Sequence, residues 1–171
     1  MKTPIFYLLF CILSLNMGTA SIAASPSVDI SEKTYAKEFY SNGKLKSEGW
    51  QSMNTKTDFW IYYHPNGEIA AKGHYSDNKK NGYWHFYDKN GKLEKEGHYV
   101  MDSAENWWIF YDIANRKTSK FQYKNNQKNG FGLRYNKRKL VRAERYKNDK
   151  KDGEWTSIVS FKRDNPDVSL R

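Results

Sequence analysis

The sequence repeats itself every 24 residues. Gly43, Gly67 and Gly91, each preceded by asparagine, are 24 apart, and so are Trp60, Trp84 and Trp108 and, in a further column, Tyr63, Tyr87, Tyr111 and Tyr135. Gly132 stands at the next tryptophan position, and Trp155 closes that series after one spacing of 23. A period of this length, held by independent columns, specifies an array of small units that bury their apolar surface against their neighbours.

The best-formed unit is Gly82 to Tyr99, GYWHFYDKNGKLEKEGHY. Tyr83 to Tyr87 reads as a strand entering a turn at Asn90-Gly91, where positive φ at both residues would suit antiparallel strands, and Lys92 to Tyr99 reads as the return. A polar connection, Ser76 to Gly82, precedes it. Two strands per period over about five repeats give ten or eleven strands in one antiparallel meander. Alternation places Trp60 with Tyr62, Trp84 with Phe86 and Trp108 with Phe110 on one face, and Phe59, Ile61, Tyr63, Tyr83, Tyr87, Trp107, Ile109 and Tyr111 on the other. Gly49, Gly73 and Gly97 recur where a neighbouring ring would lie flat on the backbone. Aromatic residues make up 16% of the chain while aliphatic ones are sparse, which suits strands and leaves little for an ordinary core. The expected fold is therefore all-β, an elongated single-layer antiparallel β-meander of about five 24-residue β-hairpin repeats.

Later copies depart from the pattern. Asn115 is expected to take the left-handed turn position in place of glycine. The turn Asn136-Lys137-Arg138-Lys139 is shorter and has no glycine. The last copy runs from Gly153-Glu154-Trp155 through Ile158, Val159 and Phe161 into a polar tail with Pro166, placed to cover the last sheet edge.

At the N-terminus, Lys2 precedes an apolar run from Ile5 to Leu15, followed by small residues at Gly18-Thr19-Ala20-Ser21 and Ala23-Ala24-Ser25. This is the layout of a secretory signal peptide cleaved after Ala20, Ala23 or Ala24, too short in its apolar part to remain as a transmembrane span. The single cysteine, Cys11, would leave with it, so the exported chain would need no disulfide chemistry. The expected organisation is a signal peptide at 1–24, a flexible lead-in at 25–34, the repeat domain at 35–161 and a polar tail at 162–171. The expected location is periplasmic, envelope-associated or extracellular.

The motifs Gly82-Tyr83-Trp84-His85-Phe86-Tyr87, Asn90-Gly91-Lys92-Leu93 and Glu96-Gly97-His98-Tyr99 resemble the MORN-repeat variant of bacterial proteins described as YwqK-type predicted antitoxins. The resemblance runs from about Phe39 to Trp155. It implies an interaction scaffold, with membrane association and protein contacts among the roles of related repeats, and it carries the antitoxin description with it. A secretory leader is at odds with an antitoxin acting on a cytoplasmic toxin.

No catalytic arrangement is visible, and no enzyme activity or cofactor is expected. His74 and His98 share a column, but two strands separate them by about 10 Å, too far to ligate one metal ion together. The histidines read as solvated, and Glu94 and Glu96 as carboxylates on the wetter face. The outstanding constellation is basic. Between Arg116 and Lys151 fourteen Lys and Arg face two acids, a net of +12 in a chain of net +10, so the remainder carries −2. Arg134, Lys137, Arg138, Lys139, Arg142 and Arg145 are the anion-binding candidates, and an anionic surface would relieve their mutual repulsion. Export disfavours nucleic acid and favours anionic lipid, a lipopolysaccharide surface or an acidic protein as partner. Trp60, Trp84 and Trp108 are candidates for an aromatic face stacking on a glycan or peptide, though packing of the sheet itself is the favoured role for these rings.

Overall fold

The computed structural model describes residues 32–168, so the expected signal peptide and most of the lead-in lie outside the described residues. The described residues form one sheet of eleven strands in sequential order, every neighbouring pair antiparallel. The strands are β1 (Lys33–Phe39), β2 (Leu45–Ser52), β3 (Thr55–Tyr63), β4 (Ile69–Ser76), β5 (Lys79–Tyr87), β6 (Leu93–Val100), β7 (Ser103–Asp112), β8 (Lys117–Lys124), β9 (Gln127–Asn136), β10 (Lys139–Lys147) and β11 (Lys150–Trp155). A helix, α1 (Ile158–Asp164), follows. The expected single-layer meander is the observed fold. No helix among the described residues is long and apolar enough to cross a membrane.

The packing unit is a tryptophan laid over a glycine. A Cβ built on Gly49, Gly73 or Gly97 would overlap the ring of Trp60, Trp84 or Trp108 on the following strand. Each indole Nε1 then donates to the carbonyl of the residue after that glycine: to Trp50 at 2.7 Å, His74 at 3.0 Å and His98 at 3.2 Å. The ring and its polar atom are thereby satisfied together, the condition for burying an indole. Tyr75 and Tyr99 meet Trp84 and Trp108 edge-on at 5.2 and 4.9 Å, and Lys56 and Lys80 lie over Trp60 and Trp84 at 4.0 and 5.1 Å. Aromatic edges and lysine stems thus cover a ladder that, among the described residues, no second sheet covers.

A bulge aims each ring. Asp58, Gly82, Asn106 and Gly130, again 24 apart, all have positive φ, and the register of each preceding strand pair slips beside them. The extra residue turns the next side chains and sharpens the twist. The connections differ from the sequence reading. At Asn90-Gly91 only Gly91 has positive φ (74°), closing a longer loop through Gly91 N–H to Asp88 C=O at 3.0 Å. Five tight two-residue turns with positive φ at both positions, such as Asp77-Asn78, lie at the opposite end of the strands. The stretch taken as a polar connection, Ser76 to Gly82, is therefore mostly strand. Asn78 binds both backbone groups of Lys56 (2.7 and 3.0 Å), and Asp102 does the same to Lys80 (2.8 and 2.9 Å), clipping each turn to the repeat before it.

The last repeats reverse the unit. Phe121 stands in the glycine column and Gly132 in the tryptophan column, so the ring now approaches glycine from the preceding strand: a Cβ on Gly132 would sit 2.8 Å from Phe121. Glu144 follows in the glycine column, paired with Glu154, and this turns the adjacent Trp155 to the opposite face. Trp155 is thus not the last member of the tryptophan ladder. It packs with Phe131 and with Phe161 of α1 at 6.5 and 5.3 Å, over Leu133 and Ala143. The expected boundary at 161 falls inside α1, which lies on a sheet face instead of extending a strand, capped at its start by Ser157. At the other end β1 begins at Lys33, inside the expected lead-in.

On the face away from the ladder, Tyr63 donates to Glu48 at 2.7 Å and Tyr111 to Glu96 at 2.6 Å. Glu96, expected on a wetter face, is instead one half of this repeated pair. Burial first, and then the Glu48 carboxylate, push the Tyr63 phenol up to about 12; burial likewise raises Tyr75 and Tyr111. A phenol whose folded pKa exceeds its unfolded value of about 10 stabilises the fold fully below pH 10 and loses that contribution as pH rises through the folded value. The midpoint of urea unfolding should therefore fall between pH 9.5 and about 11.5, and less so in Tyr63→Phe. A flat midpoint over that range would contradict the assignment.

Candidate functional site

The six basic candidates do not form one surface. Arg134 and Arg142 are paired across β9 and β10 on the ladder face. There Arg134 donates to Glu144 at 3.1 Å and to Ser119 at 3.0 Å and lies 4.6 Å over Phe121, while Arg142 reaches Glu154 at 3.3 Å. Glu144, only 3% exposed, also accepts from Tyr146 at 2.9 Å. Arg145 is paired with Asp152 at 2.9 Å beside Trp155. These three arginines neutralise acids of the last repeats, so the excess charge read from the sequence is partly spent within the fold.

The remaining cations gather at one end of the strands. Lys137-Arg138 is the two-residue turn between β9 and β10, with φ of 49° and 67°; its amide at Lys137 donates to the Arg116 carbonyl at 2.9 Å. Arg116, with φ 52°, takes the left-handed position expected of Asn115, whose side chain instead donates to Asp112 at 2.8 Å. That hydrogen bond is the main cause holding the Asp112 carboxyl below its usual range. Between the β7–β8 loop and this turn lies a cavity of about 540 Å³, lined by Arg116, Lys117, Lys137 and Arg138 with Tyr111, Asp112, Ile113 and Thr118. Arg116, Lys137 and Arg138 have no ion pair among the described residues, and neither does Lys139 at the start of β10. Of the six candidates, Lys137 and Arg138 line this cavity, together with Arg116 and Lys117, which were not among them.

The conformation of these residues is unusual in a specific way. In the first repeats the left-handed loop position belongs to Gly43, Gly67 and Gly91. Among the described residues there are six two-residue turns with positive φ at both positions, and five contain Asn or Asp; only Lys137-Arg138 contains neither. Side chains other than Gly, Asn and Asp enter this region at a cost of about 1 kcal/mol each. Three cations thus occupy positions where glycine or asparagine would be the more stable choice.

The other candidates are placed plainly. Trp60, Trp84 and Trp108 are 0%, 1% and 3% exposed, so none offers a face to a ligand. Among the described residues no cluster of three or more potential metal ligands occurs. His64 makes a 2.9 Å hydrogen bond to the Tyr87 carbonyl and His85 lies 3.4 Å from Glu96, so these two are not simply solvated. Arg134→Gln, which strips the buried Glu144 of its closest cation, should lower unfolding stability by about 1–2 kcal/mol, the partial exposure of the arginine moderating the cost of breaking a buried pair. Lys139→Gln should stay within about 0.5 kcal/mol. Equal effects in urea titrations would contradict this division between structural and unpaired cations.

The MORN repeat variant matches the chain at residues 34–49, 60–77 and 80–101. No curated protein matches it significantly. These segments fall on β1–β2 and β3–β6, where the tryptophan-over-glycine unit is most regular, and the decayed repeats after residue 101 lie outside them. Residues 34–101 thus carry the MORN repeat variant.

Proposed function

We propose that this protein is an exported binding scaffold that associates with an anionic envelope surface through Arg116, Lys117, Lys137 and Arg138. MORN repeats are in general repeats that bind proteins or membranes. The observation that carries the anionic reading is the placing of three cations in left-handed backbone positions, around one cavity, with no ion pair among the described residues although Asp112 lines the same cavity. Residues held in a costly conformation at one place are expected where the strain serves binding. Short connections also fix the backbone of these residues relative to one another, so little backbone order remains to be lost on contact with a phosphate-bearing surface. Each cation near an anionic bilayer contributes about 1 kcal/mol, which makes such binding strongly salt-dependent. The signal peptide expected from the sequence would deliver the chain to such a surface.

The double substitution Lys137→Asn, Arg138→Gly separates binding from folding. It installs the preferred residues for this turn, so the thermal midpoint should rise by a few degrees, from a gain of about 1 kcal/mol. Retention on vesicles of phosphatidylglycerol and phosphatidylcholine should fall several-fold, and retention of the parent chain should collapse between 50 and 300 mM salt. Salt-insensitive retention, or retention unchanged in the double variant, would sink the proposal. Binding to an acidic protein with no retention on vesicles would replace the surface by a protein partner.

A further inference from the structure

The face opposite the tryptophan ladder carries a second aromatic column, and its members are exposed. Phe59, Tyr83 and Trp107, each just before a ladder tryptophan and 24 residues apart, are 38%, 43% and 37% exposed. Trp50 lies in the same row, meeting Tyr35 edge-on at 5.2 Å, and His74 packs edge-on against Phe59 at 5.1 Å. The fourth member of the column is Phe131. There the chain covers its own row: Phe161 of α1 packs edge-on against Phe131 at 5.6 Å and is itself 1% exposed. The exposed part of the row is thus continuous with an interface whose occupant is visible, a short helix inserting an aromatic side chain.

We infer that Phe59, Tyr83 and Trp107 form a docking surface for an amphipathic helix of a partner protein, which repeats on the first three repeats what α1 does on the last. The dimensions fit. Column members two strands apart stand about 10 Å from one another, and helix residues seven apart are separated by a rise of about 10 Å, so one helix crossing the strands can set an anchor beside each ring. The bordering positions on this face differ from those under α1 in a way that suits a separable partner. Under the helix they are Leu133 and Ala143; beside the exposed rings the positions equivalent to Leu133 are Ile61, His85 and Ile109, and those equivalent to Ala143 are the charged Lys72, Glu96 and Lys120. A polar border around aromatic anchors is the anatomy of an interface between separate molecules, and an apolar one that of a core. The surface is distinct from the cationic loop end, which neither Phe59 nor Tyr83 lines.

The test uses the full chain and two synthetic helical peptides of about 21 residues built on Ala, Glu and Lys. One carries Phe at three positions seven apart; the other has Ala there. By calorimetry, the Phe peptide should bind at least about ten-fold more tightly than the Ala peptide. That difference should vanish in Phe59→Ser, Tyr83→Ser, Trp107→Ser and persist in Lys137→Asn, Arg138→Gly. Should the triple variant fail to fold, Tyr83→Lys alone, at an exposed position, should give at least a five-fold loss. Equal affinity for the two peptides, undiminished binding by the folded row variants, or quenching by a chito-oligosaccharide without peptide binding would overturn the inference.

Discussion

A flat indole against a bare backbone is the interaction on which the sheet depends. A single antiparallel layer has no second layer to bury its side chains, so each apolar residue must be covered from within the same surface. Gly49, Gly73 and Gly97 let Trp60, Trp84 and Trp108 sink onto the preceding strand, where the indole nitrogen also finds a carbonyl. What remains of each ring is covered by tyrosine edges and lysine stems from neighbouring strands. Two features of the backbone make the contact repeatable: the bulges at Asp58, Gly82 and Asn106 that aim the rings, and the turns such as Asp77-Asn78 that are clipped to the preceding repeat. Each repeat thus depends on its neighbours, as expected of an array stabilised by nearest-neighbour interfaces.

The way the array ends determines where other chemistry becomes available. Exchange of ring and glycine at Phe121 and Gly132, followed by Glu144 in the glycine column, stops the ladder and turns Trp155 to the other face. That turn gives α1 a platform and leaves Glu144 needing Arg134 and Arg142. At the strand ends, the same departure from the repeat replaces loop glycines by Arg116, Lys137 and Arg138. The cationic site and the helix-covered patch are therefore two products of one interruption. The regular repeats contribute a different surface, the exposed row of Phe59, Tyr83 and Trp107.

Much of this was legible in the sequence because the period is long and shared by several columns. Strand number, meander topology, the face shared by Trp84 and Phe86, and the reason for Gly73 follow from spacing and alternation alone. The bulges were not legible, since Asp58, Gly82 and Asn106 share a conformation but not a residue type. Without them Lys80, which covers the ladder, read as part of a polar connection, and the wet and dry aromatic faces could not be distinguished. The basic segment was visible as a charge excess, but its division was not. Arg134, Arg142 and Arg145 are tied to acids by strand register, whereas Arg116 was hidden because Asn115 beside it looked the better left-handed residue. The turn at Lys137-Arg138 was conspicuous for lacking glycine, and its strained backbone gives that lack a physical meaning.

The most direct test of the account is a double-mutant cycle between Gly73→Ala and Trp84→Leu, read by urea unfolding. Gly73 has an ordinary strand conformation, so adding a methyl group perturbs little besides the ring above it. Gly73→Ala alone should cost about 3 kcal/mol, at the upper end of overpacking penalties. In the background of Trp84→Leu, where the flat ring is gone, the same methyl should cost less by at least about 1 kcal/mol. Additive effects, or a Gly73→Ala protein as stable as the parent, would show that the ladder does not rest on the close approach of ring and backbone.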